Sequence, residues 1–194
     1  METEEVLLKE EKDNHIPSWK EIFRFAVLAV LIVIPIRVFI AQPFIVSGES
    51  MVPTFNDKDY LIVDEISYRF HDPKRGDVIV FRYPNDPKKF FIKRVIGLPG
   101  ESIKISGNII TIYNEENPEG FSLDEPYVKN ISFNNMSQEI GPDEYFVMGD
   151  NRLHSLDSRS WGNLPAGNIV GKAFLRLIPI NAIGYLPGSH KYEN

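Results

Sequence analysis

The sequence contains no cysteine in 194 residues, which excludes disulfides, thiolate zinc sites and cysteine nucleophiles. Histidine is scarce as well. His15, His71, His154 and His190 are scattered without metal-ligand spacing, so neither a metal nor a cofactor is expected. Basic charge is in deficit: the formal net charge is -6, whereas a nucleic-acid partner calls for a basic field. There is no internal repeat, and beyond residue 41 no long stretch with a 3.6-residue apolar period. What remains is ordinary globular material, 43% apolar and 25% charged. That is enough for one modest domain with appendages and argues against global disorder.

One run breaks this evenness. Residues 22–41, IFRFAVLAVLIVIPIRVFIA, carry only Arg24 and Arg37 as charges. About 20 apolar residues in a helix cross a hydrocarbon core of ~30 Å, and the two arginines can snorkel to its interfaces. The expectation is a polar tail over 1–21, a transmembrane anchor over 22–41, and an exported domain over 42–194. Lys9, Lys12, Lys20 and Arg24 precede the run, and after Arg37 the next basic residue is Lys58. This bias turns the N-terminus toward the cytoplasm. Past the anchor, short Val-, Ile-, Phe- and Tyr-rich runs at 60–63, 77–83, 90–96, 109–113, 145–148 and 170–178 alternate with Gly, Pro, Asp and Asn turns. The predicted fold class is mainly β, an antiparallel domain. The Asn-, Glu- and Pro-rich stretch 114–142 reads as an inserted cap.

Three clusters could carry chemistry. Ser50 stands between Gly48 and Pro53, where a constrained turn can present a hydroxyl and its own N–H to a carbonyl; such a turn is also ordinary at a strand end. Strand alternation puts Phe91, Lys93 and Val95 on one face. An ammonium among apolar neighbours loses part of its preference for the charged form and becomes a candidate base; the alternative is a lysine that snorkels to solvent. Arg94 cannot serve as that base, because guanidinium stays protonated. Residues 149–162 pack two Asp, two Arg, three Ser, an Asn and a His into fourteen positions, which reads as an organised polar loop near a site or as a structural turn.

In their order these segments resemble bacterial type I signal peptidases. The resemblance rests on Ser50-Met51-x-Pro53-Thr54, Gly76-Asp77-Val78-x-Val80-Phe81, Lys93-Arg94-Val95-Ile96-Gly97-x-Pro99-Gly100, and Gly149-Asp150-Asn151-Arg152 with Ser155, Asp157-Ser158-Arg159 and Trp161-Gly162. It covers roughly residues 20–188 and is thinnest over 114–142. It implies a serine endopeptidase of a bacterial plasma membrane that removes signal peptides from exported preproteins, with the lipid bilayer as its other partner. Ser50 would be the nucleophile and Lys93 the general base. Ser155 would orient the lysine, Asp157 and Arg159 would form a supporting ion pair, and Asp150 and Arg152 would support the same loop. Phe44, Val46, Met51, Phe55 and Ile92 would line shallow apolar pockets with an Ala-x-Ala preference; read from the residues alone, all five are equally good core positions. One departure is Gly48, where some relatives carry a serine that helps hold the oxyanion. Two other readings stay open: a Ser50–His154–Asp triad, and a non-catalytic membrane-tethered β module.

Overall fold

The structure is a computed structural model that describes residues 18–39, 41–130 and 134–192. Most of the tail expected over 1–21 therefore lies outside the described residues. The chain divides into two compact units at Arg37/Val38.

The first unit is dominated by helix α1, Trp19–Phe39. Ser18 caps it: the Glu21 carboxylate accepts from the Ser18 N–H at 2.9 Å while the Glu21 N–H donates to the Ser18 carbonyl at 2.8 Å. Phe23, Phe25, Val27, Leu28, Val30, Leu31 and Ile32 are exposed. At 100° per residue these positions surround the helix rather than forming one stripe. Among the described residues no helix is long and apolar enough to cross a membrane. Residues 33–41 of the expected anchor have no described side chains.

The second unit is antiparallel β throughout its described pairings. Its strands are β1 (Ala41–Ile45), β2 (Tyr60–Asp64), β3 (Val78–Tyr83), β4 (Asp86–Gly97), β5 (Ser102–Gly107), β6 (Ile109–Tyr113), β7 (Phe121–Ser122), β8 (Asn134–Glu139), β9 (Glu144–Met148), β10 (Leu164–Pro165), β11 (Ile169–Ile178) and β12 (Gly184–Tyr185). A short helix α2, Ser158–Trp161, follows β9. All six runs expected as strands are strands, most of them extended by a residue or more. β4 begins four residues earlier than expected because Tyr83 pairs with Asp86 across a two-residue turn, Pro84-Asn85, and carries the ladder outward. The order β1-β2-β11-β3-β4-β9-β10, with β12 on β11, makes one eight-stranded sheet. A second sheet runs β7-β6-β5-β8. It draws β5 and β6 from before residue 114 and β7 and β8 from within 114–142.

Lys93–Gly97 of β4 and Tyr145–Met148 of β9 lie where the two sheets meet, and there both faces are buried. Val95, Tyr145 and Val147 pack with Ile79, Phe81 and Leu164 on one side. Ile96, Phe146 and Met148 pack with Ile103, Ile105, Ile110 and Ile112 of the second sheet on the other. A strand buried on both faces has no solvent side, so its polar residues must find partners inside. β4 places two such residues side by side, Lys93 and Arg94.

Candidate active site

Lys93 is 4% exposed. Its ammonium lies 5.2 Å from the centre of the Phe91 ring, and Phe91 is stacked on Tyr83 with centroids 4.6 Å apart. Strand alternation puts Phe91 beside it, and β3 aligns Ile79 with it. Burial in these surroundings lowers the Lys93 amine to about 8, while the carboxylates of Asp157 and Asp150 draw it partway back. Nζ donates to Ser50 Oγ at 2.7 Å and to the Ile92 carbonyl at 2.8 Å. Ser50 stands in the turn after β1. The Val52 N–H closes on the Glu49 carbonyl at 3.2 Å and the Phe55 N–H on the Met51 carbonyl at 2.9 Å. The Ser50 N–H has no acceptor among the described residues. A serine hydroxyl within hydrogen-bond reach of an amine of depressed basicity is an arrangement that can generate a nucleophile near neutral pH.

The polar loop after β9 holds this turn from behind. The Asn151 N–H donates to the Ser50 carbonyl at 3.0 Å, and its side-chain amide donates to the Glu49 carbonyl at 3.1 Å. Gly149 is required at the head of the loop. A Cβ there would stand 2.2 Å from Ser155 Oγ and 2.4 Å from the Ser50 carbonyl oxygen, so only glycine allows the loop to approach. Asp157 is fully buried. It caps α2, accepts from the Gly149 N–H at 3.0 Å, and meets Arg159 Nε and Nη2 at 2.8 Å each. Ser155, expected to orient the lysine, makes no hydrogen bond to it among the described residues. Its Oγ is buried with no hydrogen-bond partner among the described residues, and the Ile92 carbonyl takes the orienting bond from Lys93 instead.

Asp150 and Arg152 make separate sets of contacts. Asp150 takes a two-pronged bond from Arg94, Nε to Oδ1 at 2.8 Å and Nη2 to Oδ2 at 2.6 Å, and accepts from the Thr54 hydroxyl. Arg152 pairs with Glu125 and donates to the Gly149 carbonyl at 3.2 Å. The sequence reading missed Arg94, Thr54 and Asn151 as functional residues. From the sequence Arg94 is only excluded as a base. The signal that could have found it is its place on the strand face opposite Lys93, a charge with no solvent to reach once both faces of this end of β4 are covered.

A cleft of about 300 Å³ opens beside the Ser50–Lys93 pair. Phe44, Val46 and Ile92 are in its lining, together with Leu61, Phe90 and Phe91. Met51 and Phe55 are not in its lining. They are buried in a core cluster with Val46, Leu61, Val78 and Ala173, because the turn that presents Ser50 points its next apolar side chains inward. His154 is exposed on the cleft rim, and Ser50 Oγ bonds to Lys93 rather than to its imidazole. Among the described residues no group of His, Cys, Asp and Glu could hold a metal ion.

Comparison with known proteins adds independent findings. The family described as "Signal peptidase, peptidase S26" matches residues 19–178. "Probable signal peptidase I-2" of Synechocystis sp. is 37% identical over 206 residues, covering 98% of this chain and 89% of that protein. "Signal peptidase I" of Leptolyngbya laminosa is 40% identical over 168 residues, covering 82% of this chain and 79% of that protein. "Signal peptidase I P" of Bacillus subtilis subsp. natto is 33% identical over 178 residues, covering 89% and 94%.

Proposed function

The chain belongs to the signal peptidase family, peptidase S26, and from that premise we propose that it removes signal peptides from exported preproteins by serine peptidase chemistry on a Ser50/Lys93 dyad. The observation that carries this reading is the 2.7 Å bond between Lys93 Nζ and Ser50 Oγ, made by a lysine that burial has brought to about 8. Neutral Lys93 takes the Ser50 proton as Oγ attacks the scissile carbonyl, then returns it to the departing amine. The resulting ester on Ser50 is hydrolysed by a water from which Lys93 again removes a proton. The Ser50 N–H is one donor for the oxyanion. The Gly48 N–H is not a second, because it is committed to Asp57 Oδ1 at 2.9 Å.

The cleft supports the substrate assignment. Its Phe44, Val46 and Ile92 lining is apolar, suited to small side chains before the cut, as in Ala-x-Ala. Met51 and Phe55 act from behind this lining by fixing the turn. The all-round apolar exposure of α1 supports a role in seating the chain in the bacterial plasma membrane, with the β unit on the exported side. Co-flotation with lipid vesicles that persists after residues 1–41 are removed would sink that part of the proposal.

The decisive experiment is cleavage of a precursor bearing Ala-x-Ala by the purified full chain in detergent, with Ser50→Ala alongside. Cleavage at that junction by the wild type, lowered at least about 10⁴-fold in the variant, is the expected result. Equal cleavage by both rules out Ser50 as nucleophile, and no cleavage by folded wild type rules out the activity.

A further inference from the structure

The residues beyond β12 pass beside Arg94, far along the chain from Ser50 and outside the cleft lining. The Gly188 carbonyl accepts from Arg94 Nη1, as does the Gly76 carbonyl at 3.0 Å. Gly188 also presses on the Ser50 turn. Its φ is +75°, and a Cβ there would stand 2.3 Å from Thr54 Cγ2. Thr54 donates to Asp150, and Asp150 holds Arg94 with both oxygens. The contacts therefore close a ring: Gly188 to Arg94, Arg94 to Asp150, Asp150 to Thr54, and Thr54 back to Gly188. The ring touches the chemistry at two points. Thr54 is four residues past Ser50 in the same turn, and Asn151, next to Asp150, grips the Ser50 and Glu49 carbonyls.

Outside the ring sits an aromatic lock. The Tyr127 ring lies 3.8 Å from the Arg94 guanidinium carbon, and the Tyr127 and Tyr192 hydroxyls are hydrogen-bonded. His190 fits edge-on between them, with centroids 5.4 Å from Tyr127 and 4.6 Å from Tyr192. A guanidinium stacked on a ring and bonded along its edges has one orientation left.

We propose that Gly188 and Tyr192 are positioning residues for catalysis: the ring through Gly188 sets where the Ser50 turn stands against Lys93, and Tyr192 locks it through Tyr127. This rests on the Ser50/Lys93 reading. The ring also governs charge. Asp150 and Asp157 are the carboxylates acting on Lys93, and Arg94 neutralises Asp150 only while it is held. A loosened Arg94 leaves Asp150 more negative toward Lys93, which raises the lysine.

The test uses Gly188→Ala and Tyr192→Phe in the full chain, with kcat and KM measured separately across pH on an Ala-x-Ala precursor. Gly188→Ala forces a side chain into Thr54. It is expected to lower kcat about tenfold or more, change KM less than about twofold, and move the acid limb of kcat/KM to higher pH. Tyr192→Phe removes one hydroxyl and is expected to lower kcat about two- to fivefold, with a smaller shift in the same direction. Ile112→Val, which weakens the distant second sheet, serves as the control for a purely structural effect and leaves both kcat and the limb unmoved. Wild-type kcat and limb in the folded variants overturn the proposal. If Gly188→Ala does not fold, the same result in Tyr192→Phe alone overturns it. Residual cleavage by Ser50→Ala would instead sink the dyad, whereas an inactive Ser50→Ala with unaltered ring variants sinks only the ring.

Discussion

The two sheets of the β unit are built on opposite principles. The second sheet, β5 to β8, packs an aliphatic layer of Ile103, Ile105, Ile110 and Ile112 against Ile96, Phe146 and Met148. The eight-stranded sheet and its loops bury Lys93, Arg94, Asp150, Arg152 and Asp157. Burying a charge costs several kcal/mol unless it is paired, so the second sheet is the cheaper way to build a core. The charged sheet uses ion pairs and carbonyls to offset most of that cost, as in Arg94–Asp150 and Arg159–Asp157. Lys93 is the exception. It faces a serine, a backbone carbonyl and an aromatic ring, with its two carboxylates acting at a distance. The contrast teaches that a stable sheet does not require these charges; their concentration near Ser50 is what the proposed chemistry would need and the aliphatic sheet lacks.

The sharpest way to break the contrast is Lys93→Met. Removing the proposed base should cut kcat/KM by at least about 10³-fold. The same change replaces a buried amine with a neutral side chain of similar length, so the unfolding temperature should hold or rise at neutral pH. A variant that keeps its activity refutes the base. Loss of activity accompanied by unfolding would show that the lysine is structural. The complementary change is Ile112→Ala in the second sheet. A fully buried isoleucine truncated in an aliphatic layer should cost about 2–5 kcal/mol of stability and leave kcat per folded molecule as it was. Denaturant unfolding and active-site-normalised kinetics separate the two effects. A large fall in kcat would mean that the sheets are coupled more tightly than their cores indicate.

The same contrast explains what could be read from the sequence. Runs such as 109–113 and 145–148 were legible because short apolar stretches of β-branched and aromatic residues between turn residues read as strands. β5 and β8 were not: Ser102–Gly107 alternates but has only Ile103 and Ile105 as apolar residues, Asn134–Glu139 has only Met136, and the two strands hold their places by pairing with each other. Ser50 and Lys93 were legible through their motifs, and the structure brings them together. Their partners were harder to read, because pairing is a property of three dimensions. Nothing local says that Asp150 bonds to Arg94, 56 positions away, rather than to Arg152 beside it, or that Met51 and Phe55 turn into the core while Phe44 stays on the cleft. The segment around Gly188 and Tyr192 drew no functional reading, since a glycine and a tyrosine near a chain's end acquire meaning only from what they touch.

The smallest effect is also the most specific. The proposed catalysis by Lys93 requires the neutral amine. Burial disfavours the ammonium, which places the titration near 8, and Asp157 and Asp150 oppose that shift. Below about pH 8, kcat/KM should fall about tenfold for each pH unit as the base is lost; above it the rate should level off. The Asp157 charge can be removed without removing its cap, since asparagine accepts the same helix N–H. Asp157→Asn takes away a carboxylate that favours the ammonium and leaves the nearby Arg159 less neutralised, and both changes disfavour the charged lysine. The acid limb should therefore move to lower pH. A limb that stays in place would mean that the titrating group is not Lys93. One that moves up would mean that Asp157 acts on the lysine through position rather than charge, and the buried ion pair would then be scaffold like the aliphatic sheet.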